Sequence, residues 1–204
     1  IDILLIYDVD VWTHGSREAA DARFDEVMAG GYRAMVKLRD EGVIGAIGAG
    51  LNEWQACQRF AERGDFDCFL LAGRYTLLEQ EALESFLPLC EARNISIVIG
   101  GPLNTGILAT GAVDGALYDY KPAPPDILAR VHAIEAVCAR HDVALPAAAL
   151  QFPLHHPAVA TIIPGARTPD EITRNAVTLA AEIPAALWAE LKAEGLLRAG
   201  APTP

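Results

Sequence analysis

Ile162-Ile-Pro-Gly-Ala-Arg-Thr-Pro-Asp-Glu-Ile-Thr-Arg-Asn175 joins the end of an apolar strand, through a glycine turn, to a marked helix start. Thr168 stands where a side-chain oxygen caps the first turn, and Pro169 takes the first helical position, where a missing N–H costs nothing. Glu171, three residues after the cap, completes a capping box. Free backbone N–H groups at such an end, added to the positive pole of the helix, make a site for a phosphate or pyrophosphate.

Outward from this junction the strand-then-helix unit recurs. The apolar runs Ile3–Ile6, Val43–Ile47, Cys68–Leu71, Ile95–Ile99 and Val159–Ile163 read as five strands. The helix after the first carries Tyr32, Met35, Val36 and Leu38 inward until Gly42 stops it. Asn52 reads as the cap of a helix whose Trp54, Cys57, Phe60 and Ala61 share one face. Leu83, Phe86, Leu87 and Cys90 mark the third helix, Pro125 to His141 and Pro146 to Phe152 two more, and Pro184 opens a last one bearing Leu187, Trp188 and Leu191. The stretch from Gly100 to Pro125 is rich in Gly and Pro and longer than ordinary connections, which points to a functional or mobile loop.

Continuous apolar strands alternating with amphipathic helices imply a parallel sheet covered by helices, either an open doubly wound sheet or a (β/α)8 TIM-type barrel. No G-x-G-x-x-G follows the first strand, and the glycines gather instead at the ends of several strands, where a barrel builds its site. The expectation is the barrel, with residues 1–204 a single domain of its last five βα units plus a C-terminal helix. Five strands alone leave two apolar edges open. Three N-terminal units are therefore expected to be missing ahead of Ile1, where the chain starts without Met directly in a strand.

The 204 residues are 52% hydrophobic and carry a formal charge of -11, which repels a phosphate backbone and speaks against nucleic acid as a partner. No apolar run approaches the roughly 20 residues of a membrane span, so the chain reads as soluble. Cys57, Cys68, Cys90 and Cys138 form no C-x-x-C pair, which argues against a zinc site or redox dithiol and for buried thiols in a cytoplasmic setting.

Four segments resemble the C-terminal two thirds of an aldo-keto reductase, in order and spacing: Ile1-Asp-Ile-Leu-Leu-Ile-Tyr-Asp8, Ile47-Gly-Ala-Gly-Leu-Asn52, Gly100-Gly-Pro-Leu-Asn-Thr-Gly-Ile-Leu108 and Ile163-Pro-Gly-Ala-Arg-Thr168. They are similar to the family's fourth, fifth, seventh and eighth strands with their loops. Asp8-Val-Asp-Val-Trp-Thr-His-Gly15 and Ala72-Gly-Arg-Tyr-Thr-Leu-Leu78 are similar to its D-threo-aldose 1-dehydrogenase branch, which acts on L-fucose or D-arabinose.

The resemblance implies a nicotinamide cofactor held across the barrel mouth without a Rossmann domain. It places Asn52 at the nicotinamide carboxamide, Gly101, Leu103 and Thr105 at the pyrophosphate, Gly165 and Ala166 at the adenosine phosphate, and Asn175 near adenine. In NADP-dependent relatives Gly165 is commonly Lys and Glu171 commonly Arg. A carboxylate at Glu171 repels a 2′-phosphate, so NAD is expected over NADP, with Arg167 or Arg174 the cations that would oppose this.

Of the family's Asp, Tyr, Lys and His, the resemblance puts the first three upstream of this sequence, and Tyr7 falls on the His position. A phenol can hydrogen-bond the reacting oxygen, but with a pKa near 10 it shuttles protons poorly at neutral pH. The family's Gln beneath the nicotinamide corresponds to Ala72 and its stacking aromatic to Gly100. The implied reaction is hydride transfer from C1 of an aldose to the nicotinamide, giving a lactone, with Trp12 and His14 placed to contact sugar. The plain alternatives are a strand-end tyrosine at Tyr7, loop residues at Trp12 and His14, a structural His155-His156 pair, and an Asp8 or Asp10 that pairs with a basic residue or solvent. Two rival functions stay open: a catalytically weakened cofactor-binding or regulatory subunit, and another barrel enzyme acting on a phosphorylated sugar. For the latter, Lys37, Lys121 and Lys192 lie away from strand ends. Oligomeric state is not legible.

Overall fold

The structure is a computed structural model describing all 204 residues. Strand β1 (Ile3–Tyr7) leads to three helical pieces, α1 (Val11–His14), α2 (Arg17–Ala29) and α3 (Gly31–Asp40). Then come β2 (Ala46–Leu51) with α4 (Trp54–Arg63), and β3 (Cys68–Ala72) with a 3₁₀ turn and α5 (Phe86–Ala92). After β4 (Ser96–Gly100) the chain makes a second 3₁₀ turn, the short α6 (Ile107–Thr110), a hairpin of β5 (Leu117–Tyr118) and β6 (Lys121–Pro122), then α7 (Pro125–Arg140) and α8 (Leu145–Gln151). Strand β7 (Val159–Ile163) is followed by α9 (Pro169–Leu179) and α10 (Ala185–Ala193). The five long strands pair in the order β1-β2-β3-β4-β7, every pair parallel. This is the (β/α)8 barrel type of architecture, represented by five consecutive βα units.

The two sheet faces differ. Ile6, Ile47, Ala49, Leu51, Phe69, Leu71, Ile97 and Ile99 are buried on the helix side, in one core with Cys57, Phe60, Phe86, Cys90, Ile134 and Trp188. Leu5, Leu70 and Val98 on the other side are only half-buried, and Ile3, Tyr7 and Ile163 are exposed. Strands β1 and β7 each pair along one edge only, and α9 buries no side chain. All four cysteines are free and buried.

The second strand begins three residues later than its apolar run suggests. Val43 is exposed in a turn closed by Gly42, whose φ of +71° suits a residue without a Cβ, and pairing starts at Ala46 opposite Ile3. The strand then continues through Gly48 and Gly50, residues that weaken a strand unless a neighbour fills their space. Here neighbours do: a Cβ on Gly48 would lie 2.4 Å from the Cys68 carbonyl oxygen and 2.7 Å from Leu5 Cδ2, and one on Gly50 would lie 2.6 Å from the Tyr7 ring. The helical segment after β1 is also broken into three, with Ser16 accepting the Ala19 N–H as the N-cap of α2.

The contact at Gly48 is with backbone, which cannot yield cheaply. Gly48→Ala is expected to cost about 1–3 kcal/mol through overpacking, lowering the melting temperature by roughly 2–4 °C for each kcal/mol in a chain of this size; thermal denaturation followed by circular dichroism checks this.

Candidate active site

The parallel register brings the ends of all five long strands to one pole, so Tyr7, Asn52, the turn after Gly100 and the turn after Ile163 share one rim. Gly101 donates its N–H to the Ile163 carbonyl at 3.3 Å, which sets the two glycine turns side by side. In the first turn Gly101, Asn104, Thr105 and Gly106 all have left-handed φ, at +56°, +44°, +58° and +97°. Two non-glycine residues there store backbone strain, a feature that concentrates at functional sites. The conformation leaves the Leu103 and Thr105 N–H groups without a partner in the protein. A Cβ at Gly106 or Gly165 would meet nothing within 4 Å, and one at Gly101 nothing closer than 3.9 Å, so the rim is open there. Asn104 pins the turn from below, its Nδ2 donating to the Gly73 carbonyl at 3.1 Å.

At the second turn, Thr168 caps α9 as expected, its hydroxyl accepting the Glu171 N–H at 3.2 Å. The reciprocal half of the capping box differs. Glu171 reaches past Thr168 to accept the Arg167 N–H at 2.6 Å and sits 3.4 Å from the Arg167 guanidinium. That hydrogen bond, helped by Arg167 and Arg174, holds the Glu171 carboxyl below its usual range. Arg167 is thus occupied by a carboxylate, while the Gly165 and Ala166 N–H groups remain unpaired. Asn175 lies further along α9, half-buried.

Asn52 is not the cap of α4. The helix starts after Glu53, and the Asn52 side chain turns the other way. Asp10, 1% exposed, accepts the Asn52 N–H at 2.6 Å and its Nδ2–H at 3.3 Å, and caps α1 through the Thr13 N–H at 3.0 Å. Asp10 pairs with amides, then, and with no basic residue. Glu53 returns the brace, accepting the Val11 and Trp12 N–H groups, each at 3.1 Å. The loops after β1 and β2 are stapled together by one carboxylate from each.

Arg74 joins two more loops to this brace. Its Nε donates to the Asn52 carbonyl at 3.2 Å, its two terminal nitrogens hold Asp119 at 3.1 and 2.9 Å, and Glu79 lies 3.5 Å away. The guanidinium also lies 5.7 Å from the centre of the Trp12 ring, within the range of a cation–π contact. Burial pushes the Glu79 carboxyl up to about 6, with Arg74 opposing the shift. Asp119 and Tyr120 form the hairpin tip with φ of +50° and +61°, and the Tyr120 N–H reaches the Thr105 hydroxyl at 3.4 Å. The ion pair therefore seats the hairpin against the first glycine turn.

Tyr7 stands at the end of β1, 61% exposed, its ring lying over Gly50. Trp12 is exposed and His14 half-buried in α1, on the same rim. Glu53, Arg74, Asn104 and Asp119 complete the site without any local pattern in the sequence that singles them out, since each acts on a partner in another loop.

A parallel run of βα units whose open turns, with unpaired amides, stand side by side at the strand ends defines a barrel-type α/β protein. The chain belongs to the aldo/keto reductase family, whose profile matches residues 1–194. It is 41% identical over 198 residues to pyridoxal 4-dehydrogenase of Microbacterium luteolum, covering 97% of this chain and 57% of that protein. It is 42% identical over 182 residues to D-threo-aldose 1-dehydrogenase of a Pseudomonas species, covering 88% and 54%. The chain thus spans about half the length of these curated relatives. The holo form of an aldo-keto reductase from Bacillus halodurans superposes with a TM-score of 0.70 at 20% identity, over 98% of this chain and 62% of the other.

Arg74→Ala removes the ion pair that seats the hairpin. Amide hydrogen exchange across residues 117–122 is expected to speed up roughly fivefold, the equivalent of about 1 kcal/mol of lost pairing at a partly exposed site, while exchange in β2 and β3 stays unchanged.

Proposed function

We propose that this chain forms the cofactor-binding part of an NAD-dependent oxidoreductase that oxidises an aldose at C1 to the lactone, with L-fucose and D-arabinose as the test sugars. The observation that carries the reading is the pair of adjoining turns after Gly100 and Ile163, whose N–H groups at Leu103, Thr105, Gly165 and Ala166 have no partner in the protein and whose glycines at 101, 106 and 165 have open space beside them. Amides in that arrangement suit the diphosphate of a dinucleotide. The residues present fit such a group: the glycines leave room for it, and Asn52, on the same rim, has a side-chain amide oxygen free for its nicotinamide. A bound nicotinamide supplies the hydride acceptor.

The chain's own residues bind and orient. Tyr7 can donate a hydrogen bond to the reacting oxygen from the end of β1, and Trp12 and His14 border the same space. The relatives named for pyridoxal and for a D-threo-aldose support a dehydrogenase with a polar, hydroxylated substrate. NAD rather than NADP is supported by Glu171, a carboxylate at the position that is commonly Arg in NADP-dependent relatives, and one that occupies Arg167. A second reading, cofactor binding with weakened turnover, is favoured by one observation: a phenol at Tyr7 in the position where the family has an imidazole.

Titrating the protein with NAD and NADP, then following NAD reduction with L-fucose, D-arabinose and pyridoxal, separates these readings. Tight NAD binding with sugar-dependent reduction supports the first, NAD binding without turnover supports the second, and preference for NADP overturns the cofactor assignment. Glu171→Arg removes the repelling carboxylate and releases Arg167, so NADP is expected to bind roughly tenfold tighter, with NAD affinity little changed.

A further inference from the structure

The side-chain amide of Asn52 has two unlike edges, and one carboxylate decides which of them faces the ligand. Asp10 Oδ2 receives both the Asn52 backbone N–H and Nδ2–H, while Oδ1 receives the Thr13 N–H. A carboxylate only accepts. The NH₂ edge of Asn52 must therefore face Asp10, and the carbonyl edge must face away. The rest of the residue is fixed as well, because its backbone carbonyl accepts from Arg74 Nε. Asn52 Oδ1 has no hydrogen-bond partner in the protein and is not among the polar atoms sealed from solvent.

We propose that Asp10 is a positioning residue that locks Asn52 with Oδ1 presented to solvent at the rim, so that the site selects a ligand bearing a hydrogen-bond donor there and rejects a carboxylate. This rests on the reading of Asn52 as the residue at the nicotinamide, and it adds which part of that group is read: the amino group of the carboxamide. A carboxylate in the same place would set an acceptor against an acceptor, with the buried Asp10 charge directly behind. Asp10 lies 42 residues from Asn52 in sequence and reaches the nicotinamide end of the site through it, while its other oxygen caps α1.

The test uses three ligands on the purified protein, by isothermal titration calorimetry: NAD, nicotinic acid adenine dinucleotide, in which the carboxamide is a carboxylate, and ADP-ribose, which lacks the ring altogether. The protein is expected to bind NAD at least about tenfold tighter than the acid analogue. Asp10→Asn keeps an acceptor for the Asn52 N–H but lets the Asn52 amide turn over. The preference should then fall to about threefold or less, with ADP-ribose affinity unchanged. A merely structural role for Asp10 would weaken all three ligands together and leave the ratio intact, which overturns the proposal. Equal affinity of the unaltered protein for NAD and its acid analogue overturns it without any variant and leaves the NAD reading standing. Failure to bind either NAD or ADP-ribose overturns that reading, and this inference with it.

Discussion

The rim depends on the parallel register of five strands. Tyr7 pairs opposite Gly50, Leu51 opposite Leu71, and Ala72, Gly100 and Ile163 lie in one row across three strands. Because the strands run the same way and follow one another in the sheet, every strand-to-helix turn comes out at the same pole. A one-residue slip in any strand would turn its core side chains to the opposite face. The sealed layer of Ile47, Leu51, Phe69, Leu71, Ile97 and Ile99 holds the register, and the register holds the rim.

On that base the loops are tied to one another by charged groups aimed at amides. Asp10 and Glu53 serve N–H groups of each other's loops, and Arg74 takes a carbonyl on one side and a carboxylate on the other. Hydrogen bonds to ionised groups are shorter and stronger than neutral ones, and partial burial protects them from screening by salt. The result is a rim in which braced loops lie beside two glycine turns whose amides at Leu103, Thr105, Gly165 and Ala166 stay free. The carboxylates of Asp10 and Glu53 orient backbone amides.

The sequence is legible where a signal is local and periodic. Four of the five strands, the N-cap at Thr168, the glycine turns and the helix beginning at Pro125 stand close to where pattern alone puts them. Strand β2 is displaced because Gly48 and Gly50 break the apolar run, and only the packed structure shows Leu5, Cys68 and Tyr7 filling the space those residues leave. The ties at the rim were illegible for a different reason: Asp10 meets Asn52 across 42 residues and Arg74 meets Asp119 across 45. An acidic residue in a loop looks the same whether it faces water or an amide on another strand. Glu171 shows the limit at short range, since its spacing from Thr168 is that of a capping box, yet its carboxylate goes one residue further back to Arg167.

The Tyr7 ring and the bare Cα of Gly50 occupy one shared volume. An imidazole at position 7 would vacate part of it, and any side chain at position 50 would require the phenol to leave. The two positions are thus coupled across neighbouring strands, so a redesign that restores the family's imidazole must treat residue 50 as part of the same exchange, choosing a substituent there that refills what the smaller ring gives up.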